Sequence, residues 1–147
     1  MGRLLILLLD KVGFLCRAAA RNKQYLSLLG VTHVLNTAEG VGSSSHGTVN
    51  LDKVELETSI TLKRIIHQDY YKPVGIEYKG LKLVDIDQTN ITEHVDDVVD
   101  FIDAALREGG KVLVNCNLGM SRSAACTCAY LIVRQKMTLN QAINQVQ

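Results

Sequence analysis

Asn115-Cys116-Asn117-Leu118-Gly119-Met120-Ser121-Arg122-Ser123 sets one cysteine and one arginine six positions apart, around a turn carrying Gly and Ser. A cysteine held as thiolate in a positive field is a nucleophile at neutral pH. A guanidinium grips a phosphate through a planar, bidentate fork that an ammonium lacks. Together the two describe a pocket that binds an anion and attacks it. The flanks supply the scaffold. The apolar run Lys111-Val112-Leu113-Val114 precedes the loop, and the helix-competent run Ser123-Ala124-Ala125-Cys126-Thr127-Cys128-Ala129-Tyr130-Leu131 follows it. That order reads as buried strand, tight loop and helix N-terminus. The loop amides then point inward around an anion, and the helix dipole adds partial positive charge.

This C-x5-R-S stretch resembles the signature of the cysteine-dependent protein tyrosine phosphatases. Two further segments resemble the small, atypical dual-specificity branch of that superfamily. Leu29-Gly30-Val31-Thr32-His33-Val34-Leu35-Asn36-Thr37-Ala38-Glu39-Gly40 is similar to its second strand and exit. Gly75-Ile76-Glu77-Tyr78-Lys79-Gly80-Leu81-Lys82-Leu83-Val84-Asp85 is similar to the strand entering its general-acid loop. The resemblance spans roughly residues 20–45 and 70–147. It implies an α/β fold, with a central, largely parallel sheet flanked by helices and a phosphate-binding loop between strand and helix. It implies hydrolysis of phosphotyrosine and phosphoserine/threonine in proteins through a phosphocysteine intermediate, with no metal or organic cofactor.

The residue roles follow from the chemistry. Cys116 attacks phosphorus in line. The amides of Asn117, Leu118, Gly119, Met120, Ser121 and Arg122, with the Arg122 side chain, hold the equatorial oxygens as charge shifts. An acid must protonate the departing oxygen. The resemblance assigns this to Asp85, which then deprotonates the water that attacks phosphocysteine. Asp87 is a rival two residues on. Asp96, Asp97 and Asp100 read as a solvated helix face. Ser123 either hydrogen-bonds the sulfur, caps the helix, or does both.

Three departures from the family pattern carry weight. Asn115 stands where active members usually carry the His that supports the loop and helps hold the cysteine ionised. Asn donates a hydrogen bond but cannot become a cation. A thiol at its ordinary pKa of about 8.5 is only a few per cent thiolate at pH 7, a loss of roughly thirtyfold. The expectation is impaired turnover; the alternative is a pseudophosphatase that binds phosphoproteins without turnover. Residues 41–74 are longer than the matching family segment and read as an insertion or as sequence from a variant transcript. The family's further C-terminal helical part lies past Gln147, which reads as a truncated or variant form.

A chain of 147 residues with 47% hydrophobic content suits one domain, residues 1–147, with a core of its own. Its 16 basic and 15 acidic residues balance to +1, and no aromatic-interleaved basic stripe marks a nucleic-acid surface. Mean hydropathy is +0.10. Four cysteines without a framework spacing suit a reducing compartment, the cytoplasm or the nucleus. Cys126 and Cys128 face different sides of one helix and read as core filling rather than as zinc ligands. The run Leu4-Leu5-Ile6-Leu7-Leu8-Leu9 is too short to span a bilayer and reads as a first buried strand.

The remaining elements follow from periodicity and punctuation. Residues 17–29 read as one helix, with Tyr25, Leu26 and Leu29 on its apolar face and Gly30 just past its end. Residues 31–36 read as a strand, 39–50 as a loop, and 54–66 as either helix or strand. A strand over 75–83 enters through Pro73, and a loop covers 87–90. Thr92 is placed to cap a helix whose Val95, Val98, Val99, Ile102 and Leu106 share a face, ended by Gly109-Gly110. A strand over 111–114 and a helix over 123–136 flank the cysteine loop. Thr138 is placed to cap a last helix.

Overall fold

Val112–Cys116 is buried along its whole length, as a strand covered on both faces must be. The computed structural model describes residues 6–8, 12–39, 68–84, 89–116 and 121–147, with backbone alone at 6–8 and 14–18. In chain order the strands are β1 (Ile6–Leu8), β2 (Val12–Cys16), β3 (His33–Asn36), β4 (Glu77–Gly80) and β5 (Val112–Cys116). The helices are α1 (Arg17–Ala20), α2 (Lys23–Leu28), α3 (Gln68–Tyr71), α4 (Val95–Arg107), α5 (Arg122–Gln135) and α6 (Leu139–Val146). Short 3-10 turns at Lys72–Val74 and Ile91–His94 lead into β4 and α4.

The sheet order is β1-β2-β5-β3-β4. β2, β5, β3 and β4 run parallel, and β1 alone is antiparallel to its neighbour. The expected α/β architecture with a largely parallel sheet is therefore present. Alternation along β5 sends its side chains to two cores. Val112 and Val114 join Leu35, Val98, Ile102, Cys126 and Leu131 beneath α4, α5 and α6. Leu113 joins Val34, Leu26, Tyr71 and Ile76 beneath α1, α2 and α3. With helices on both faces, a ligand has access at the strand ends, and Cys116 is the last residue of β5.

Several local expectations are met in the helices. Buried Val98, Val99, Ile102 and Ala105 line the inner face of α4, with Val95 and Leu106 packed at its margins. Thr138 caps α6 in a reciprocal capping box with Gln141. Gly30 and Gly109 adopt positive φ of 71° and 75° past the ends of α2 and α4.

Other expectations need correction. The single helix over 17–29 is two, because Asn22 leaves helical geometry and its side chain accepts the Tyr25 N–H at 3.0 Å. Thr92 does not cap α4; it is itself capped, its N–H donating to Asn90 Oδ1 at 3.2 Å at the start of the 3-10 turn. The strand over 75–83 shortens to Glu77–Gly80, although Leu81 and Leu83 stay buried past its end. β2 is an added element: five consecutive pairings with β5 hold it despite Gly13 at its second position. The expected loop over 39–50 from residue 40 on, the ambiguous 54–66 and the longer segment up to residue 67 lie outside the described residues. No helix among the described residues is long and apolar enough to cross a membrane.

Candidate active site

Parallel pairing puts the carboxyl ends of β3 and β5 side by side, with Asn36 opposite Asn115. One residue further, Cys116 closes β5 and is only 2% exposed. Its Sγ lies 3.3 Å from the Ser123 hydroxyl, which is fully buried in the first turn of α5. A hydroxyl at that distance suits a sulfur acceptor. Arg122, the first residue of α5, is buried as well, and its Nη1 donates to the Leu83 carbonyl at 2.9 Å. Leu83 lies two positions before Asp85. The arginine therefore ties the exit of the cysteine loop to the segment leading to the expected acid. A buried guanidinium must be hydrogen-bonded, and the Leu83 carbonyl meets part of that need.

Asn115 lies beneath the cysteine and is fully buried. Its backbone carbonyl accepts twice from Thr37, from the N–H at 2.8 Å and from Oγ1 at 2.9 Å. This clamp fixes the strand end that carries Cys116. The Asn115 side chain is held loosely. Its Nδ2 reaches Asn36 Oδ1 at 3.4 Å, and its Oδ1 finds no hydrogen-bond partner among the described residues. A buried carbonyl left unpaired costs about 1–3 kcal/mol.

Asn36 extends the network outward. Its Oδ1 also accepts the Ala38 N–H at 3.1 Å, and its Nδ2 donates to the Tyr78 hydroxyl at 3.0 Å. Tyr78 in turn donates to Glu39 Oε1 at 3.2 Å. A polar line thus runs from beneath Cys116 to a carboxylate. Gly80 leaves room for that carboxylate, since a Cβ there would displace it.

The other cysteines differ in kind. Burial, with the neighbouring Cys116 adding to it, pushes the Cys126 thiol up to about 12. Burial also raises Cys128. Both are protonated packing residues at neutral pH, as their helix positions implied.

Four expected site residues, Asn115, Cys116, Arg122 and Ser123, come together at one strand end. Ser123 lies inside α5; Ser121 occupies the N-cap position without a side-chain capping bond. Asp96 and Asp100 are exposed, and Asp97 pairs with Lys79 at 2.6 Å, which pulls its carboxyl below the usual range. Asp85, Asp87, Asn117, Leu118, Gly119 and Met120 lie outside the described residues. Sequence reasoning did not reach Asn36, Thr37, Tyr78 and Glu39. The one available signal was a polar pair, Asn36-Thr37, ending an apolar strand beside the cysteine strand.

Residues 13–147 match the profile of the family described as dual specificity phosphatase, catalytic domain. The chain belongs to that family. Dual specificity protein phosphatase 1 of Arabidopsis thaliana is 36% identical over 130 residues, covering 88% of this chain and 52% of that protein. The chain therefore spans about half the length of this curated relative. Among solved structures, the human tyrosine phosphatase-like serine/threonine/tyrosine-interacting protein is 25% identical with a TM-score of 0.70, over 93% of this chain and 78% of that one. Human DUSP28, at 21% identity and a TM-score of 0.66, covers 92% of this chain and 73% of its own. This second likeness is one of fold. The family is one of cysteine-based phosphatases, and Cys116 and Arg122 lie within the matched region.

Proposed function

We propose that this chain is a dual-specificity protein phosphatase that hydrolyses phosphotyrosine and phosphoserine/threonine through a phosphocysteine on Cys116. The observation that carries the reading is the convergence of Cys116, Ser123 and Arg122 at the carboxyl end of β5, with Sγ 3.3 Å from the Ser123 hydroxyl. Cys116 attacks phosphorus in line with the leaving oxygen. Arg122 and the amides of residues 117–122 hold the three equatorial oxygens as charge develops. Asp85 protonates the departing oxygen, then takes a proton from the water that cleaves the sulfur–phosphorus bond. The Ser123 hydroxyl donates to the sulfur as it leaves, so the thiolate departs solvated. No step needs a metal or an organic cofactor. Residues 1–147 act as one catalytic domain on phosphorylated proteins. The free cysteines among the described residues favour a reducing compartment, the cytoplasm or the nucleus.

Asn115 sets the level of activity. As a neutral side chain it cannot help keep the sulfur ionised, so turnover at pH 7 is weak. The double clamp from Thr37 to the Asn115 carbonyl favours a formed strand end, hence impairment rather than extinction. Hydrolysis of an aryl phosphate by the purified protein, beside Cys116→Ser, tests the assignment. Loss of turnover in the variant is expected, and equal rates would overturn it.

A second reading is a pseudophosphatase that holds phosphoproteins without releasing product. It is favoured by neutral Asn115 and by likeness to a human protein described as phosphatase-like. Phosphopeptide binding to the parent chain with no phosphate released would select it.

A further inference from the structure

The amino ends of the same strands carry a second group of side chains. His33 opens β3, Glu77 opens β4, and Glu108 follows the last residue of α4. His33 is 6% exposed, while the side chains of Glu77 and Glu108 are 64% and 67% exposed. His33 Nε2 lies 3.3 Å from Glu77 Oε2 and 3.7 Å from Glu108 Oε2. One potential ligand atom from each of the three residues lies within 4.8 Å of the other two. We propose that His33, Glu77 and Glu108 form a divalent-cation site of the zinc type, which ties β3, β4 and the end of α4 together at the opposite end of the sheet from Cys116.

The spacing is the first argument. A charge-assisted N–H···O bond closes to about 2.7–2.9 Å. Both histidine–carboxylate distances exceed that. Ligands bonded to a tetrahedral ion at about 2.0–2.1 Å lie about 3.3–3.4 Å apart, close to the separations seen here. One imidazole and two carboxylates are a donor set that zinc accepts, with a fourth position left for water.

The proton on the imidazole ring is the second argument. His33 Nδ1 lies 2.8 Å from Thr32 Oγ1. That oxygen also accepts the Lys111 N–H at 2.9 Å and lies 3.2 Å from the Lys111 carbonyl. With no cation, the ring carries its proton on Nε2 toward Glu77, and the Thr32 hydroxyl donates to Nδ1. With a cation on Nε2, the proton moves to Nδ1 and is donated to Thr32. The hydroxyl then turns to the Lys111 carbonyl. Either arrangement leaves Nδ1, the Thr32 hydroxyl and the Lys111 carbonyl each with a partner. A histidine ligand needs this kind of support for its other nitrogen.

The third argument is that the ring is held and the charge is not. Phe101 packs edge-on against it at 5.7 Å, and a Cβ at Gly110 would collide with Thr32 Oγ1, the oxygen that holds Nδ1, and crowd His33 Nδ1. The nearby carboxylates repel each other, and Glu108 lies at the negative end of α4, where a cation is favoured. The fit is thus a rigid buried nitrogen with two carboxylates swung from the surface.

Zinc titration of the full chain by calorimetry tests this, in a Cys116→Ser background that removes the reactive thiol. The expected result is one zinc per chain, a rise in Tm on binding, and affinity reduced about tenfold or more by Glu77→Gln or Glu108→Gln. Because both carboxylates are exposed, these variants stay folded even where His33→Gln does not. Cobalt(II) provides the ligand signature, with weak d–d bands and no thiolate charge-transfer band. Unchanged affinity and Tm shift in the Glu77→Gln/Glu108→Gln double variant, a thiolate band, or no binding would each overturn the proposal. The group would then be an imidazole bracketed by carboxylates and nothing more.

Discussion

At the carboxyl ends of β3 and β5, Asn36, Thr37, Asn115, Arg122 and Ser123 are all buried, and only Arg122 is charged. At the amino ends of the same strands, a buried histidine faces two carboxylates that stand in solvent. The difference is one of sign and of timing. In the proposed reaction, the first end has Thr37, Arg122 and Ser123 hydrogen-bonded in place before an anion arrives, so little rearrangement is needed when charge develops. The second end leaves its negative charge in water, where it costs little until a cation collects it. A parallel sheet can host both because its strand ends are separated by about 13 Å, four steps of about 3.3 Å.

The largest expected effect lies at the buried end. Arg122→Lys should lower kcat/KM for aryl phosphates by about a hundredfold to a thousandfold, since the bidentate grip on the phosphoryl oxygens is lost. Zinc affinity at His33 should not move. A parallel fall in both would break the separation between the two ends.

Asp85→Asn comes next. It should slow hydrolysis of tyrosyl and alkyl phosphates by about a hundredfold, yet change little for esters with acidic leaving groups, which depart without a proton. If Asp87→Asn gives that pattern and Asp85→Asn does not, the acid is Asp87.

Asn115→His should raise turnover by roughly tenfold to thirtyfold near pH 6 to 7, with the gain shrinking above about pH 8.5, where the parent thiol ionises unaided. Iodoacetamide alkylation against pH reads the thiolate directly, and inorganic phosphate should protect it. An unchanged alkylation profile would show that electrostatics under the cysteine are not what limits this chain.

The smallest effect is on stability. The Cys126 thiol is pushed up to about 12 in the folded chain, against about 8.5 when unfolded. Above pH 8.5 the unfolded chain therefore gives up a proton that the folded chain keeps, and stability falls as pH rises. The slope from this group is at most about 1.4 kcal/mol per pH unit. Cys126→Ala should flatten denaturant-measured stability between pH 8.5 and 10.

How much of this was legible in the sequence depends on how local the cause is. The capping box of Thr138 and Gln141, the apolar face of α4 and the strand–loop–helix order around Cys116 are written in neighbouring residues, and the fold class follows from their order. Asn22 divides the expected helix because its side chain takes the Tyr25 N–H, a local preference that prevails over the apolar spacing around it. β2 went unread because Gly13 and the preceding Asp10-Lys11 weaken its pattern, while its support comes from pairing with β5, about a hundred residues away. The line from Asn115 through Asn36 and Tyr78 to Glu39 joins three separate segments, as does the group of His33, Glu77 and Glu108. No single segment announces either, because the register of parallel strands assembles both.

Trapping the covalent intermediate tests the central claim most directly. The parent chain, acid-quenched during turnover of an aryl phosphate and digested for mass spectrometry, should carry a phosphoryl group on the peptide containing Cys116. Asp85→Asn should increase its occupancy, since the water that cleaves it loses its base, and Cys116→Ser should abolish it. Turnover without any phosphoryl adduct on that peptide, or an adduct on Cys126 or Cys128 instead, would contradict the assignment of Cys116 as the nucleophile.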